Sequence, residues 1–276
     1  MIDPTAVIDP SAQIAADVTI GPFCRIGPQV EVQAGTVIGS HVVIHKNTRI
    51  GQHNKIYDFA ALGGDPQDIS PQQGESYLEI GDHNVIREFC TLNRGSAKGQ
   101  GDATTRIGDH NMLMAYAHIA HDCLLGNHIV FANNASIAGH VEVHDYAILG
   151  AFTGVHQFVR VGSYSFLGRA GKVSRDILPY MLVVGNPGGP VGLNSIGLKR
   201  HGFKKDLIRA LKTVYKLFYH RDLKLTEIRQ TLVEMSEQHP EIKLIVDMMD
   251  NTRLGVGRPR LRHTTAKDQD SVGEAV

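Results

Sequence analysis

The chain has 276 residues, 42% of them apolar, enough for one large or two ordinary domains around a real core. Its 28 Lys and Arg balance its 28 Asp and Glu, so net charge points to neither a nucleic-acid partner nor an acidic substrate, and any charge argument has to be local. No charged-then-apolar leader opens the sequence and no apolar run approaches the ~20 residues of a membrane helix, which predicts a cytoplasmic protein without an integral membrane segment.

From Ile2 a large aliphatic residue recurs at every sixth position, through Ile8, Ile14, Ile20, Ile26 and on to Leu62. The series resumes in phase at Ile80, Ile86 and Leu92, then restarts at Ile107 and runs to Val173. Such a period identifies the hexapeptide of a parallel β-helix, with three hexapeptides closing one triangular coil of about 18 residues. Four residues after each aliphatic the side chain is small or apolar. Cys24, Cys90 and Cys123 all fill that slot, so they are expected in the core rather than in disulfides or a zinc knuckle. Glycine often follows the aliphatic, as at Gly21, Gly39 and Gly51, and suits a tight corner.

Two polar stretches, 63–79 and 95–106, interrupt the repeat and are expected to be loops thrown out from the prism. Long loops on a rigid scaffold are candidates for function. The β-helix is assigned to residues 1–190, closing with the Pro/Gly connector "PYMLVVGNPGGPVGLN".

Residues 191–254 change to a helical period. Leu207, Leu211, Val214 and Phe218 form one apolar stripe, Thr226 is placed to cap a second helix carrying Leu232 and Met235, and Pro240 opens a third. Residues 255–276 lack any apolar period and are expected to be a disordered tail. Between 199 and 221 eight basic residues (Lys199, Arg200, Lys204, Lys205, Arg209, Lys212, Lys216, Arg221) face one acid, Asp206. That is either a solvated helix face or a dock for an acidic macromolecule.

The 18-residue winding turns sequence arithmetic into geometry, because residues one coil apart stack at roughly 4.8 Å. Gly139 then lies over His121 with Gln157 beyond it, His140 lies over Asp122, and His156 falls in the neighbouring column. His118, His121, Asp122, Gly139, His140, His156 and Gln157 form one patch on an edge of the prism. Three readings compete for it. The histidines, His128 included, could decorate a polar surface. His118 and His121, spaced HxxH, could hold zinc. Or His121 could be a general base oriented by Asp122, with Gly139 leaving room above the ring and its amide N–H stabilising an oxyanion.

At "YAHIAHDCLLGN", "FANNASIAGHV", "GVHQFVRVG", "GNPGGPVGLNSIGLKRHGF" and "PQDIS" the chain closely resembles the UDP-N-acetylglucosamine acyltransferase family of lipid A synthesis, over residues 1–250. The resemblance implies a mainly β protein, a left-handed parallel β-helix followed by a small α-helical C-terminal domain. It implies a homotrimer with active sites between subunits. It also implies transfer of a (3R)-3-hydroxyacyl group from acyl carrier protein to the 3-position of the glucosamine ring of a UDP-sugar, with no metal and no cofactor.

By this likeness His121 is the base, Asp122 its support and the Gly139 amide the oxyanion donor. Gln67, Asp68, His118, His140, His156, Gln157, Asn194 and Arg200 match substrate-binding groups. Lys199, Lys204, Lys205, Arg209, Lys212 and Lys216 become the dock for the acidic carrier protein. The chain departs from the family pattern where Ser70 replaces a common Lys, Ile196 a Glu and His201 an Arg. Arg169 stands where the typical enzyme has the glycine of its acyl-chain ruler, and is expected to shorten or redirect the acyl groove. Some members of the family acylate a 3-amino analogue of the sugar. An N-acylating sister enzyme carries an N-terminal uridine-binding domain, for which a repeat starting at Ile2 is expected to leave no room. An acetyl-CoA-dependent acetyltransferase, a zinc carbonic anhydrase and a purely structural β-helix fit the motifs less well.

Overall fold

The computed structural model describes residues 1–69, 74–97, 102–219 and 223–257. Strands of mostly two residues stack into three sheets of nine, eight and ten strands, parallel except at the last strand of the third, and within the prism each strand pairs with the third one after it. The first sheet starts at Val7–Ile8, the second at Gln13–Ile14 and the third at Thr19–Ile20. Val7 pairs with Arg25 and Ile8 with Ile26, which is the eighteen-residue coil read from the sequence.

The periodic aliphatics point inward. Ile20, Ile26, Val32, Ile38 and Ile44 are each at most 1% exposed. Removing such a side chain from water stabilises the fold by about 1.5–3 kcal/mol, and β-branched residues suit the extended backbone that turns them in. The three cysteines are buried and free. Cys24, Cys90 and Cys123 donate to the carbonyls of Gly39, Met114 and Ala138 in the next coil, at 2.9, 3.2 and 3.2 Å.

The corners differ from the expectation drawn from glycine. The left-handed backbone falls two residues after the glycine, on side-chain-bearing residues such as Phe23 (φ 58°), His41 (56°) and His53 (54°). The glycines are there for close approach. A β-carbon on Gly51, Gly81 or Gly126 would run into the carboxylate of Asp82, Asp109 or Asp145 one coil on. Those carboxylates accept from the backbone N–H of Gln52, Asp82 and Asn127, at 2.6, 2.7 and 2.7 Å, and so lock coil to coil. The left-handed corner residues stack their rings: His53, His83, His110 and His128 follow one another at 4.8–5.0 Å, with Tyr146 continuing the column at 4.7 Å. His128 therefore belongs to a stacking column on another edge, away from His121.

Both interruptions leave the same corner, between the first and second sheets. Ala61 pairs with Thr91, thirty residues on, and Tyr77 with Thr104, twenty-seven on. Of the two expected loops, residues 70–73 and 98–101 lie outside the described residues, and so does Ser70.

The Pro/Gly connector is a hairpin. Met181–Gly185 joins the third sheet beside Phe166–Leu167 and pairs antiparallel with Gly188–Leu193, around a cis Asn186–Pro187 bond. Among the described residues four α-helices follow, one more than the periodicity indicated: α1 (Ser195–Arg200), α2 (Lys205–Tyr219), α3 (Leu225–Gln238) and α4 (Lys243–Asp250), with Pro240 opening a 3-10 turn, Pro240–Ile242, that runs into α4. α1 is too short for a helical period to show. Thr226 is not the cap of α3. The helix begins a residue earlier, and Glu227 reaches back to accept from the Lys224 N–H at 2.9 Å.

The segment after α4 returns to the prism, where the Asp176 N–H donates to Gly255 and the Gly257 N–H to Asp176, at 3.1 and 2.9 Å. Ordered structure thus extends into what composition marks as tail, because these few residues find backbone partners. Residues 258–276 lie outside the described residues.

Candidate active site

The first sheet carries the candidate site on its outer face and at its corner with the second. His118 opens the strand His118–Ile119, between Thr91 of the preceding coil and Ser136 of the next. Its Nδ1 lies 2.7 Å from Thr91 Oγ1, and burial holds its pKa below the ordinary imidazole value.

The chain then turns through His121 and Asp122, and Asp122 takes the left-handed conformation (φ 59°) that aspartate tolerates better than most residues. His121 Nδ1 is 2.7 Å from Asp122 Oδ2, with the two side chains 14% and 13% exposed. A carboxylate only accepts, so Nδ1 carries the proton and Nε2 is left as the accepting nitrogen. Asp122 is fixed from the second loop: the Ser96 N–H donates to both its oxygens, and its own N–H donates to Thr105 Oγ1 at 2.8 Å.

Gly139 lies one coil on. A β-carbon there would come within 2.6 Å of His121 Cε1 and 2.7 Å of Nε2, so the imidazole fills the space that glycine leaves. Among the described residues the Gly139 N–H has no hydrogen-bond partner. His140 stacks on Phe158 at 4.7 Å, meets the His121 ring edge-on at 5.2 Å, and brings Nε2 to 3.6 Å from Asp122 Oδ2. It buttresses the dyad from behind and is not on the cleft wall.

The cleft itself, about 650 Å³, is walled by Gln67, His118, His121, Gly139, Gly154, His156, Gln157 and Lys172, among others, and ends at Ser174, Asn186 and Pro187. His156 and Gln157 are exposed, with His156 Nδ1 3.2 Å from the Gln157 carbonyl. Gln67 enters from the first loop, and the adjacent Asp68 is not on the wall.

The structure leaves other expected site residues outside this cleft. Asn194 caps α1, accepting from the Gly197 N–H at 3.1 Å while its Nδ2 donates to the Tyr164 carbonyl at 2.9 Å. Arg200 is exposed in the last turn of α1. Arg169 is exposed at the corner between the third and first sheets, whereas Lys172, three residues on, lines the cleft. Lys199, Lys204, Lys205, Arg209, Lys212 and Lys216 are all exposed, while Leu207, Leu211, Val214 and Phe218 turn α2's other face into the core. Arg221 lies outside the described residues. Ile196 is exposed on α1, and His201 meets Tyr146 and Tyr164 edge-on.

The sequence reading missed Lys172, Ser174, Asn186, Pro187, Thr91, Ser96 and Thr105. Lys172 was findable by the same arithmetic, since it continues the column His118, Ser136, Gly154. Ser96 and Thr105 flank an aperiodic loop, where no spacing signals a contact.

Among the described residues, the donors close enough to share a cation are His121, Asp122 and His140, within 4.8 Å of one another. The HxxH pair is not that group, because His118 Nδ1 is turned to Thr91. No helix of the described residues is long and apolar enough to cross a membrane.

Comparison with known proteins agrees with this architecture. Residues 104–139 match the family of bacterial transferase hexapeptides (six repeats), and residues 176–257 match the second domain of UDP N-acetylglucosamine O-acyltransferase. The acyl-[acyl-carrier-protein]–UDP-N-acetylglucosamine O-acyltransferases of Thiobacillus denitrificans and Halorhodospira halophila are 48% and 49% identical over 257 residues, 93% of this chain and 99% of each relative. Among solved structures, LpxA from Acinetobacter baumannii superposes with a TM-score of 0.90 at 44% identity, covering 93% of this chain and 99% of its own. The Francisella novicida UDP-N-acetylglucosamine acyltransferase gives 0.92 at 38%, covering 100% of both chains. The chain belongs to the family of acyl-[acyl-carrier-protein]–UDP-N-acetylglucosamine O-acyltransferases.

Proposed function

We propose that the chain transfers a (3R)-3-hydroxyacyl group from acyl carrier protein to the 3-hydroxyl of the glucosamine ring of UDP-N-acetylglucosamine, the first step of lipid A biosynthesis, in the cytoplasm. The observation that carries the mechanism is the His121 ring, held by Asp122 at one nitrogen, packed on bare Gly139 and opening on the cleft. His121 Nε2 takes the proton of the sugar hydroxyl as its oxygen attacks the thioester carbonyl. Asp122 steadies the imidazolium so formed. The Gly139 N–H donates to the tetrahedral oxyanion, and collapse expels the carrier thiolate, which recovers the proton from His121. A thioester is already activated, so a base, positioning and charge stabilisation suffice.

His118, His156, Gln157 and Gln67 bind the sugar and its diphosphate from the cleft wall, with Asp68 beside them, while His140 acts by holding Asp122. Lys172 closes the acyl groove together with Arg169 at the neighbouring corner. The exposed lysines of α1 and α2 receive the acidic carrier protein.

The chain works as a homotrimer. Supporting this, Phe23, Phe59, Phe89, Tyr116 and Phe152 make an exposed aromatic ridge along the corner between the third and first sheets, from 43% to 60% exposed. A neighbour packed there supplies Asn194 and Arg200 to a cleft they do not reach within one chain.

The test is an acyl-transfer assay with purified protein, 3-hydroxyacyl carrier proteins of several lengths, and UDP-N-acetylglucosamine alongside its 3-amino analogue. Turnover of the hydroxyl sugar is expected. Turnover of the amino analogue alone would reassign the acceptor atom, and no transfer to either would overturn the reading.

A further inference from the structure

A second cavity, about 230 Å³, lies on the outer face of the first sheet nearer the start of the prism, walled by Arg25, Val43, His45, Lys46, Asp65 and Arg94 among others. The register Val43, Ala61, Thr91, His118 puts its floor three coils from His118, about 14 Å at the usual strand spacing. No residue of its wall lines the cleft.

Its charge is unbalanced. Arg94, only 4% exposed, donates to the Gly63 carbonyl, the Asp65 carboxylate and, at 3.3 Å, Ser76 Oγ. Asp65 is the single acid of the cavity wall, and its side chain is 87% exposed to water. Arg25 and Lys46 are exposed, and neither has an ion-pair partner among the described residues. Three permanent cations thus face one solvated carboxylate. Burial, and the charges of Arg94 and Arg25, hold the His45 imidazole below its ordinary pKa, against the pull of Asp65.

Anchoring the first loop explains Arg94 and Asp65. It does not explain Arg25, His45 and Lys46, which come from successive coils of the prism and converge on the same hollow without bonding to the loop.

We propose that this hollow is a binding site for the phosphate group of a small phosphate monoester, with Arg25 and Lys46 supplying charge, His45 a ring N–H and Arg94 the floor. Guanidinium and ammonium groups are the usual partners of phosphate oxygens. The hollow, about 230 Å³, has room for a phosphate with a short substituent. Arg94 precedes by two residues the Ser96 amide that holds Asp122, so the site and the catalytic dyad hang on one loop.

Calorimetric titration of the full chain with inorganic phosphate and with methyl phosphate tests this, alongside imidazole NMR of His45. One saturable site per chain is expected, with the His45 titration midpoint moving up as phosphate fills it. Arg25→Ala and Lys46→Ala should each weaken binding by about 3- to 10-fold and the double variant by more, with unchanged melting temperature because both side chains are exposed. His121→Ala should bind as the parent does, so the result stands apart from the acyl-transfer assay. Absence of saturable binding, binding that survives the double variant, or displacement of phosphate by UDP-N-acetylglucosamine would overturn the proposal.

Discussion

The backbone N–H of Ser96 holds both carboxylate oxygens of Asp122, at 3.0 and 3.1 Å. A charge-assisted pair of this kind fixes which way the carboxylate faces, and hence which nitrogen of His121 keeps its proton. An amide at position 122 would retain the shape and lose the charge that steadies an imidazolium. Asp122→Asn is therefore expected to lower kcat with little change in KM for the sugar. His121→Ala should cut kcat by about 10² or more, the usual scale of a general base. Steady-state kinetics on both variants, with circular dichroism to confirm folding, checks this; parental turnover in His121→Ala would reassign the base.

Gly139→Ala tests the close contact from the other side. The new methyl would stand 2.6 Å from His121 Cε1, and the ring cannot retreat without breaking its 2.7 Å bond to Asp122. A fall in kcat of about 10-fold or more is expected, since small misplacements of a catalytic group are costly. Gly192→Ala, where nothing lies within 4 Å of the added carbon, is the matched control and should leave kcat unchanged.

If the acyl chain runs along the cleft as proposed, its preferred length reports on the far end. Lys172 is on its wall, so Lys172→Gly should favour longer 3-hydroxyacyl chains, and Arg169→Gly should do so less strongly from the adjoining corner. Relative kcat/KM across carrier proteins bearing chains of different lengths measures it. Unchanged preference in both variants would refute the assignment.

Stability should fall on the acid side through His118. Burial lowers its folded pKa beneath the 6.5 of an exposed imidazole, so between those values the unfolded chain binds a proton that the folded chain does not. The contribution is complete above that value and is lost as pH falls towards the folded pKa. Melting temperatures between about pH 5 and 7 should slope upward with pH, and His118→Gln should flatten the slope, less the part that His45, lowered in the same way, retains.

The thiols should be inert. Burial pushes Cys90 to about 11 and Cys123 to about 12, so at neutral pH neither offers a thiolate. Maleimide labelling of the native protein is expected to be negligible, rising to three equivalents in denaturant.

How much of this was legible in the sequence follows from where the periodicity holds. Eighteen-residue spacing placed Gly139 against His121 and His140 against Asp122 because a β-helix repeats the same backbone in every coil. The same spacing places Lys172 at the end of the His118 column. The corner glycines misled for a physical reason: the left-handed torsion falls on Phe23, His41 and their like, while glycine is required by the close approach of the coil beyond, the Gly39 carbonyl at Gly21 and the Asp58 carboxylate at Gly39. Ser96 and Thr105 could not be foreseen, since loop contacts obey no period. α1 and the Met181–Leu193 hairpin were hidden by shortness and by a Pro/Gly composition that resembles a linker.

The two excursions from the corner beside His121 lengthen their coils unequally, yet winding afterwards resumes with Ile107 over Ile80 and Leu125 over Ile107. Phase is restored by the sheets on either side and not by counting residues. Chain can therefore be gained or lost at this one edge without rotating any outward-facing side chain elsewhere. A lineage could remodel what the edge beside the cleft grips simply by trimming or extending those excursions, and the prism would not register the change.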